Sequence, residues 1–80
     1  MPYITQEERE ALKSGDIPRT AGQLNYLVTL IIHEFLGTRG LSYQTINDIV
    51  GALDGAKVEF QRTIVAPYEI EKEKLNGPIK

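Results

Sequence analysis

The chain has 80 residues, no cysteine and a net charge of −2. A chain this short forms one domain at most, hides only about 60% of its unfolded surface, and here lacks any disulfide or thiolate metal site to reinforce its core. Its mixed charges and a pI of about 5.3 disfavour duplex nucleic acid and anionic membranes as partners, and no segment resembles a leader or a membrane span, so we expect one cytosolic domain, 1–80.

The first predicted helix covers about Gln6 to Lys13. Thr5 followed by Glu8 matches a capping box, in which each residue bonds the other's free backbone N–H. Ser14-Gly15 ends this helix. The next stretch stays extended, because the residue before Pro18 avoids the helical region.

The second predicted helix covers Ala21 to about Leu36, opens with a capping box of Thr20 and Gln23, and ends at the turn Gly37–Gly40. Apolar residues recur along it at helical spacing, which predicts a core-facing stripe. The stripe consists of Leu24, Leu27, Val28, Ile31 and Phe35.

The third predicted helix starts after Ser42 and runs from Tyr43 to about Val65, ending before Pro67. Its apolar stripe is Ile46, Ile49, Val50, Leu53, Ala56, Phe60 and Ile64. Because this helix is longer than the second, an antiparallel hairpin leaves about two turns uncovered. The sequence therefore predicts an all-α fold, a short helix followed by an antiparallel helical hairpin with a long last helix, assembled as a homo-oligomer, with a tetramer as the expected size.

The segment 68–80 is expected to be a charged tail or a short helix that stops at Asn76-Gly77-Pro78. Its charges are typical of a solvated face. No internal repeat or second domain is visible.

Two glycines, Gly51 and Gly55, lie four residues apart inside the third helix, as do Ala52 and Ala56. Each glycine costs about 1 kcal/mol of helix propensity. Small residues at this spacing indicate close approach by another helix or a flat ligand. The alternative is that the glycines are tolerated on a solvated face.

The second helix has an uncharged polar face formed by Gly22, Tyr26, Thr29 and His33. Exposed helix faces usually carry many charged side chains. This face is expected to meet a subunit or a ligand, the alternative being an unusually neutral solvent face. No nucleophile with its partners and no set of metal ligands can be assembled around His33, the only histidine, so we expect no catalytic residue, no metal, no cofactor and no enzymatic activity.

Two basic positions are candidates for binding an anion. Arg19 and Thr20 surround the free N–H groups at the start of the second helix, where a phosphate could bind or where Thr20 only caps the helix. Lys57 projects near the middle of the third helix's apolar stripe. It either extends outwards to water or meets an anion or another subunit's carboxylate.

A series of residues between Leu24 and Glu69 spans the second and third predicted helices and the segment after them. Together, these residues resemble a widespread family of small uncharacterised phage proteins. The resemblance covers about Thr20 to Lys72 and none of its elements is a catalytic signature. The sequence departs from the pattern at Leu30, where a basic residue is expected, and in its Leu-Asn-Gly-Pro tail. The resemblance is carried by Leu24-Asn25-Tyr26, Thr29, Tyr43, Ile46-Asn47, Gly51-Ala52-Leu53, Ala56-Lys57, Glu59, Arg62 and Val65-Ala66-Pro67-Tyr68-Glu69.

The resemblance implies a role in the host cell cytoplasm as an anti-defence sponge: a helical oligomer that sequesters a cyclic dinucleotide such as 3′,3′-cGAMP without cleaving it and so blocks CBASS effectors. Such a ligand needs hydrogen-bond donors for its two phosphates, flat surfaces for its two bases and polar groups for the edges of the bases. The expected ligand-binding residues are Arg19, Thr20, Asn25, Tyr26, Thr29, Tyr43, Asn47, Lys57, Arg62 and Tyr68. The alternatives are a protein-binding inhibitor or adaptor of a host enzyme and a minor virion structural protein.

Overall fold

The computed structural model describes residues 4–77, and all regular structure in this range is helical. The elements are α1 (Gln6–Lys13), α2 (Ala21–Arg39), α3 (Tyr43–Phe60), a π-helical turn (Gln61–Val65) and α4 (Ala66–Asn76). The expected all-α fold, with a short first helix, a second helix and a long last helical stretch, is confirmed. The antiparallel hairpin and the homo-oligomer stay predictions.

The described residues fall into two compact units, 4–45 and 46–77. The first contains α1 and α2, and the second contains the body of α3, the π turn and α4. The assignment of 1–80 to one domain stays a prediction.

The first helix has the predicted bounds and the predicted capping box. The backbone N–H of Glu8 donates to Thr5 Oγ1 at 3.1 Å, and the N–H of Thr5 donates to Glu8 Oε1 at 2.7 Å. Gly15 follows the helix with a φ of +106°, which favours glycine. The local sequence is therefore sufficient to define α1.

The core of the first unit lies where α1 meets the beginning of α2. Ile4 and Leu12 are its buried apolar side chains. Ile4 Cγ2 lies 3.5 Å from the position that a Cβ on Gly22 would occupy, an ordinary van der Waals distance, so Ile4 packs over this glycine. Gln23 Nε2 donates to Glu8 Oε2 at 2.6 Å and links the two helices.

The predicted end of α2 near Leu36 is wrong, because the helix continues to Arg39. Gly37 adopts a helical conformation here, as glycine can inside a helix at a modest cost in stability. The chain leaves the helix at Gly40, whose φ of +85° and ψ of 154° suit glycine, and whose N–H donates to the Leu36 carbonyl at 2.7 Å.

The predicted end of the third helix before Pro67 is also wrong. The chain passes through the π turn and continues as α4 to Asn76. Ala66 N–H donates to the Gln61 carbonyl, five residues back, and Pro67 then lies in the first turn of α4, where a missing N–H is tolerated. The segment 68–80 is therefore helical as far as Asn76, and the helix ends at Gly77. Pro78 lies outside the described residues.

The two apolar stripes are not a core within the described chain. We call Leu24, Leu27, Val28, Ile31 and Phe35 the α2 row, and Ile46, Ile49, Val50, Leu53, Ala56 and Phe60 the α3 row. Leu24 and Ile31 are 55% and 61% exposed, and Leu53 and Phe60 are 41% and 57% exposed. Among the described residues of the second unit, none is buried. Within the first unit, α1 covers only the beginning of α2, so most of the α2 row is exposed there, and its role as a core stays a prediction.

Candidate functional site

At the start of α2, the residues that were predicted to bind an anion form hydrogen bonds within their own chain. The Arg19 guanidinium lies 3.2 Å from Asp16 Oδ2 and also donates to the Ile17 carbonyl. The Ile17 N–H first, and Arg19 second, hold the pKa of Asp16 below its ordinary value. Thr20 Oγ1 accepts from the Gln23 N–H at 3.1 Å, so Thr20 is the N-cap.

The predicted capping box at this helix is only half correct. Gln23 Oε1 accepts from the backbone N–H of Arg19 at 2.7 Å, one residue before the expected partner Thr20. The amide group of Gln23 is shared between this bond and the bond to Glu8, which fixes its position. Sequence reasoning missed this role, since it depends on α1.

Three predicted site residues are neighbours on the first half of α2. Thr29 Oγ1 donates to Asn25 Oδ1 at 3.3 Å, one helical turn away. Asn25 is exposed, whereas Tyr26 and Thr29 are half-buried. The uncharged polar face is therefore partly covered at Gly22, Tyr26 and Thr29 and exposed at His33.

Tyr43 begins α3 and is 87% exposed. Its ring is available for stacking, as a base-binding residue requires. The helix start beside it is fixed by Ser42, whose Oγ accepts from the N–H of the buried Thr45 at 3.1 Å. Ser42 as N-cap is thus confirmed.

Asn47 and Lys57 are both exposed on α3. The exposure of Lys57 fits the interpretation in which its ammonium reaches water. The two glycines of this helix, Gly51 and Gly55, have open space where a side chain would be added. Within the described chain, the glycine face is therefore solvated.

Arg62 and Tyr68 lie at and after the π turn. Arg62 Nη2 contacts both carboxylate oxygens of Glu59, at 2.9 and 3.1 Å, and both side chains are largely exposed. The Lys72 ammonium lies 5.6 Å from the centre of the Tyr68 ring, a cation–π contact. Sequence reasoning missed Lys72, although the spacing of four residues on a helix indicates the contact.

An open depression of about 300 Å³ lies along α4, lined by Ala66, Glu69, Ile70 and Glu73. Its two carboxylates would repel a phosphate. Among the predicted site residues, Arg19 and Thr20 are adjacent before α2, and a hydrogen bond connects Asn25 with Thr29. The second unit carries four more of them at separate places along its helices: Asn47, Lys57, Arg62 and Tyr68.

Residues 4–77 contain no group of three or more histidine, aspartate or glutamate side chains arranged to hold a metal ion. In the same range, no helix combines the length and the apolar character that a membrane span requires.

Comparison with known proteins matches the chain to a family model. No curated protein and no solved structure matches the chain. A family model described as a domain of unknown function, DUF6899, matches residues 1–79, nearly the whole sequence. The chain therefore belongs to the DUF6899 family.

Proposed function

We propose that this protein is a non-enzymatic binding protein of a phage that acts as a homo-oligomer in the host cytoplasm. Its ligand is a cyclic dinucleotide immune signal such as 3′,3′-cGAMP, which it sequesters intact and so keeps from CBASS effectors. The supporting observation is that exposed arginine, tyrosine and amide side chains, the three kinds that such a ligand needs, occur on or next to the two helices with exposed apolar rows.

The arginines are suited to exchange partners. Arg19 pairs with Asp16 in the segment before α2, and Arg62 pairs with Glu59 one helical turn away; the four side chains are between 44% and 71% exposed. Exposed ion pairs contribute only about 0–1 kcal/mol. A phosphate, which an arginine binds through two parallel hydrogen bonds, can therefore displace Asp16 or Glu59.

The aromatic and amide groups supply the rest of the recognition. Tyr43 and Tyr68 are 87% and 61% exposed, and a base stacked on an aromatic ring gains about 1–3 kcal/mol. Asn47 is exposed and offers both a donor and an acceptor for a base edge. In a symmetric oligomer, each such site would be repeated.

The proposal is tested by a retention experiment. Excess purified protein is mixed with 3′,3′-cGAMP and filtered, and the retained material is heated and assayed for nucleotide. We expect retention on the protein and release of intact nucleotide after heating. Retention of none of a panel of cyclic nucleotides would overturn the proposal, and release of a cleaved product would show an enzyme instead.

Arg62→Ala should lose nucleotide retention while the assembly keeps its mass, because the side chain is exposed and contributes to binding and not to folding. Glu59→Gln should tighten binding by up to about fivefold, since it removes the competing carboxylate. Isothermal titration and light scattering measure the two effects. Arg39→Ala, at the end of α2, is the matched control and should bind normally; normal binding by Arg62→Ala would remove Arg62 from the site.

A protein-binding role is the second candidate. The exposed α2 row has the spacing with which a helix anchors in a groove of a partner, as an inhibitor or adaptor of a host enzyme would. A role as a minor virion component is the third. Failure of nucleotide retention, together with stoichiometric capture of one host enzyme that Ile31→Asp abolishes, would favour the adaptor.

A further inference from the structure

We infer that the α3 row is the self-association surface of this protein, and that a second copy of the same chain covers it. The inference rests on the proposed homo-oligomer and identifies the face through which the copies meet. It is carried by the exposure, spacing and area of the row.

The row is exposed although it is apolar. Val50 and Phe60 are more than half exposed, Ile46 and Leu53 are each 41% exposed, and Ile49 is half-buried. A helix without tertiary packing is marginal in water, whatever its propensity, and this one contains two glycines. Burial of the row would therefore contribute directly to the stability of α3.

The spacing within the row is that of a helix that packs against a similar helix. Ile46, Ile49, Leu53, Ala56 and Phe60 are separated by three, four, three and four residues, the alternation of the a and d positions of a heptad repeat. All five lie in the α-helical part, before the π turn changes the phase. Two copies of a surface with this repeat can pack against each other, because the a and d side chains of one helix fit between those of the other.

The area of the row matches the needs of a stable pair. An unfolded chain exposes roughly 1.45 Å² per dalton, so the exposed fractions of Ile46, Val50, Leu53 and Phe60 correspond to about 330 Å² of surface per copy. Interfaces between identical subunits are about 65% apolar, which gives about 500 Å² per copy and about 1,000 Å² in total. This total reaches the roughly 1,000 Å² that a biological interface should clear.

Substitution of the row tests the inference without nucleotide. The wild-type protein should have a mass that is a multiple of 9.0 kDa by light scattering. Leu53→Asp should raise the dissociation constant of the assembly at least about a hundredfold, because it places a charge at the centre of the interface. Val58→Asp is the matched control: Val58 is also exposed on α3, but about 140° away around the helix axis, and this variant should keep the wild-type mass.

A second measurement avoids the risk that Leu53→Asp fails to fold. Because the chain has no cysteine, Ala56→Cys and Val58→Cys each introduce a single, mild reporter. At high protein concentration, a maleimide should modify the cysteine at 56 several-fold more slowly than the cysteine at 58, and dilution should abolish the difference. Equal rates at both positions, or a monomeric wild type, would overturn the inference.

Protection of position 56 that persists on dilution would also overturn it, because it would show that α2 of the same chain covers the row. The absence of nucleotide separates this test from that of the proposed function. Retention of 3′,3′-cGAMP can fail while the row is protected, and the row can be unprotected in a protein that retains the nucleotide.

Discussion

Individual side chains define the helix starts of this protein. Thr5, Thr20 and Ser42 each accept a hydrogen bond from the backbone three residues later. All three were predictable, because an N-cap depends only on neighbours in sequence. The partners of Gln23 were not, since its amide also reaches Glu8, fifteen residues away. Hydrogen bonds between residues close in sequence can therefore be predicted from the sequence, whereas hydrogen bonds between separate helices cannot.

The capping box at α1 should make stability depend on pH. The Thr5 N–H first, and then the Gln23 amide and the Thr5 hydroxyl, hold the pKa of Glu8 below its ordinary value. A carboxylate with a lowered folded pKa stabilises the fold above its unfolded pKa, and this contribution is lost as the pH falls through the folded pKa. Glu8→Gln should therefore melt below the wild type at neutral pH.

The difference in melting temperature between the wild type and Glu8→Gln should close as the solution is acidified, as measured by circular dichroism. Glu7→Gln, in the same helical turn, controls for loss of a charge near the helix dipole. A difference in melting temperature for Glu8→Gln that stays constant from neutral to acid pH would contradict the lowered pKa of Glu8.

At the scale of whole elements, helix type was predictable and helix ends were less so. The bounds of α1 and the starts of α2 and α3 agree with the sequence prediction. Gly37 and Pro67 were interpreted as breaks, but glycine and proline only raise the free energy of a helix and do not forbid it. At Pro67, the π turn removes the conflict with the preceding turn, an arrangement that no local pattern indicated.

Gly37 and Gly40, three residues apart at the end of α2, should respond in opposite ways to substitution by alanine. Gly37 lies inside α2 with open space around it, so Gly37→Ala should raise the free energy of unfolding by up to about 1 kcal/mol. Gly40 has a φ of +85°, so Gly40→Ala should lower it by about 1–3 kcal/mol. Urea unfolding of the two variants measures both effects; a shift of the same sign in each would contradict the helix end at Gly40.

At the scale of the whole molecule, the sequence identified which residues are apolar but not what covers them. The α2 row and the α3 row have helical periodicity, which predicts burial, yet both are exposed in the described chain. Periodicity reports that a face needs a partner and is silent on whether the partner is intramolecular. The sequence likewise does not predict which of the candidate ligand residues come together, because a site formed by several copies of a chain leaves no recognisable pattern in one sequence.

If the rows are buried between copies, the stability of the protein should depend on its concentration. Association that favours the folded state raises the melting temperature by mass action, by about 3–6 °C for each tenfold rise in concentration of a dimer of this size. Differential scanning calorimetry over a dilution series measures this shift. Leu53→Asp should show no such dependence, and a wild-type melting temperature that is independent of concentration would indicate a folded monomer.

The π turn has a consequence for how the length of this sequence can change. It accommodates one more residue than an α-helical turn, so deleting a single residue between Gln61 and Val65 could restore continuous α-helical geometry. Every residue from Ala66 onwards would then keep its direction relative to α3, because the π turn takes up the extra residue within one turn, and Tyr68 and Lys72 would keep their contact. A one-residue deletion elsewhere in α3 or α4 would instead rotate all later residues of the helix by about 100°. The five positions of the π turn are therefore the place where the length of the chain can change by one residue without redirecting the side chains of α4.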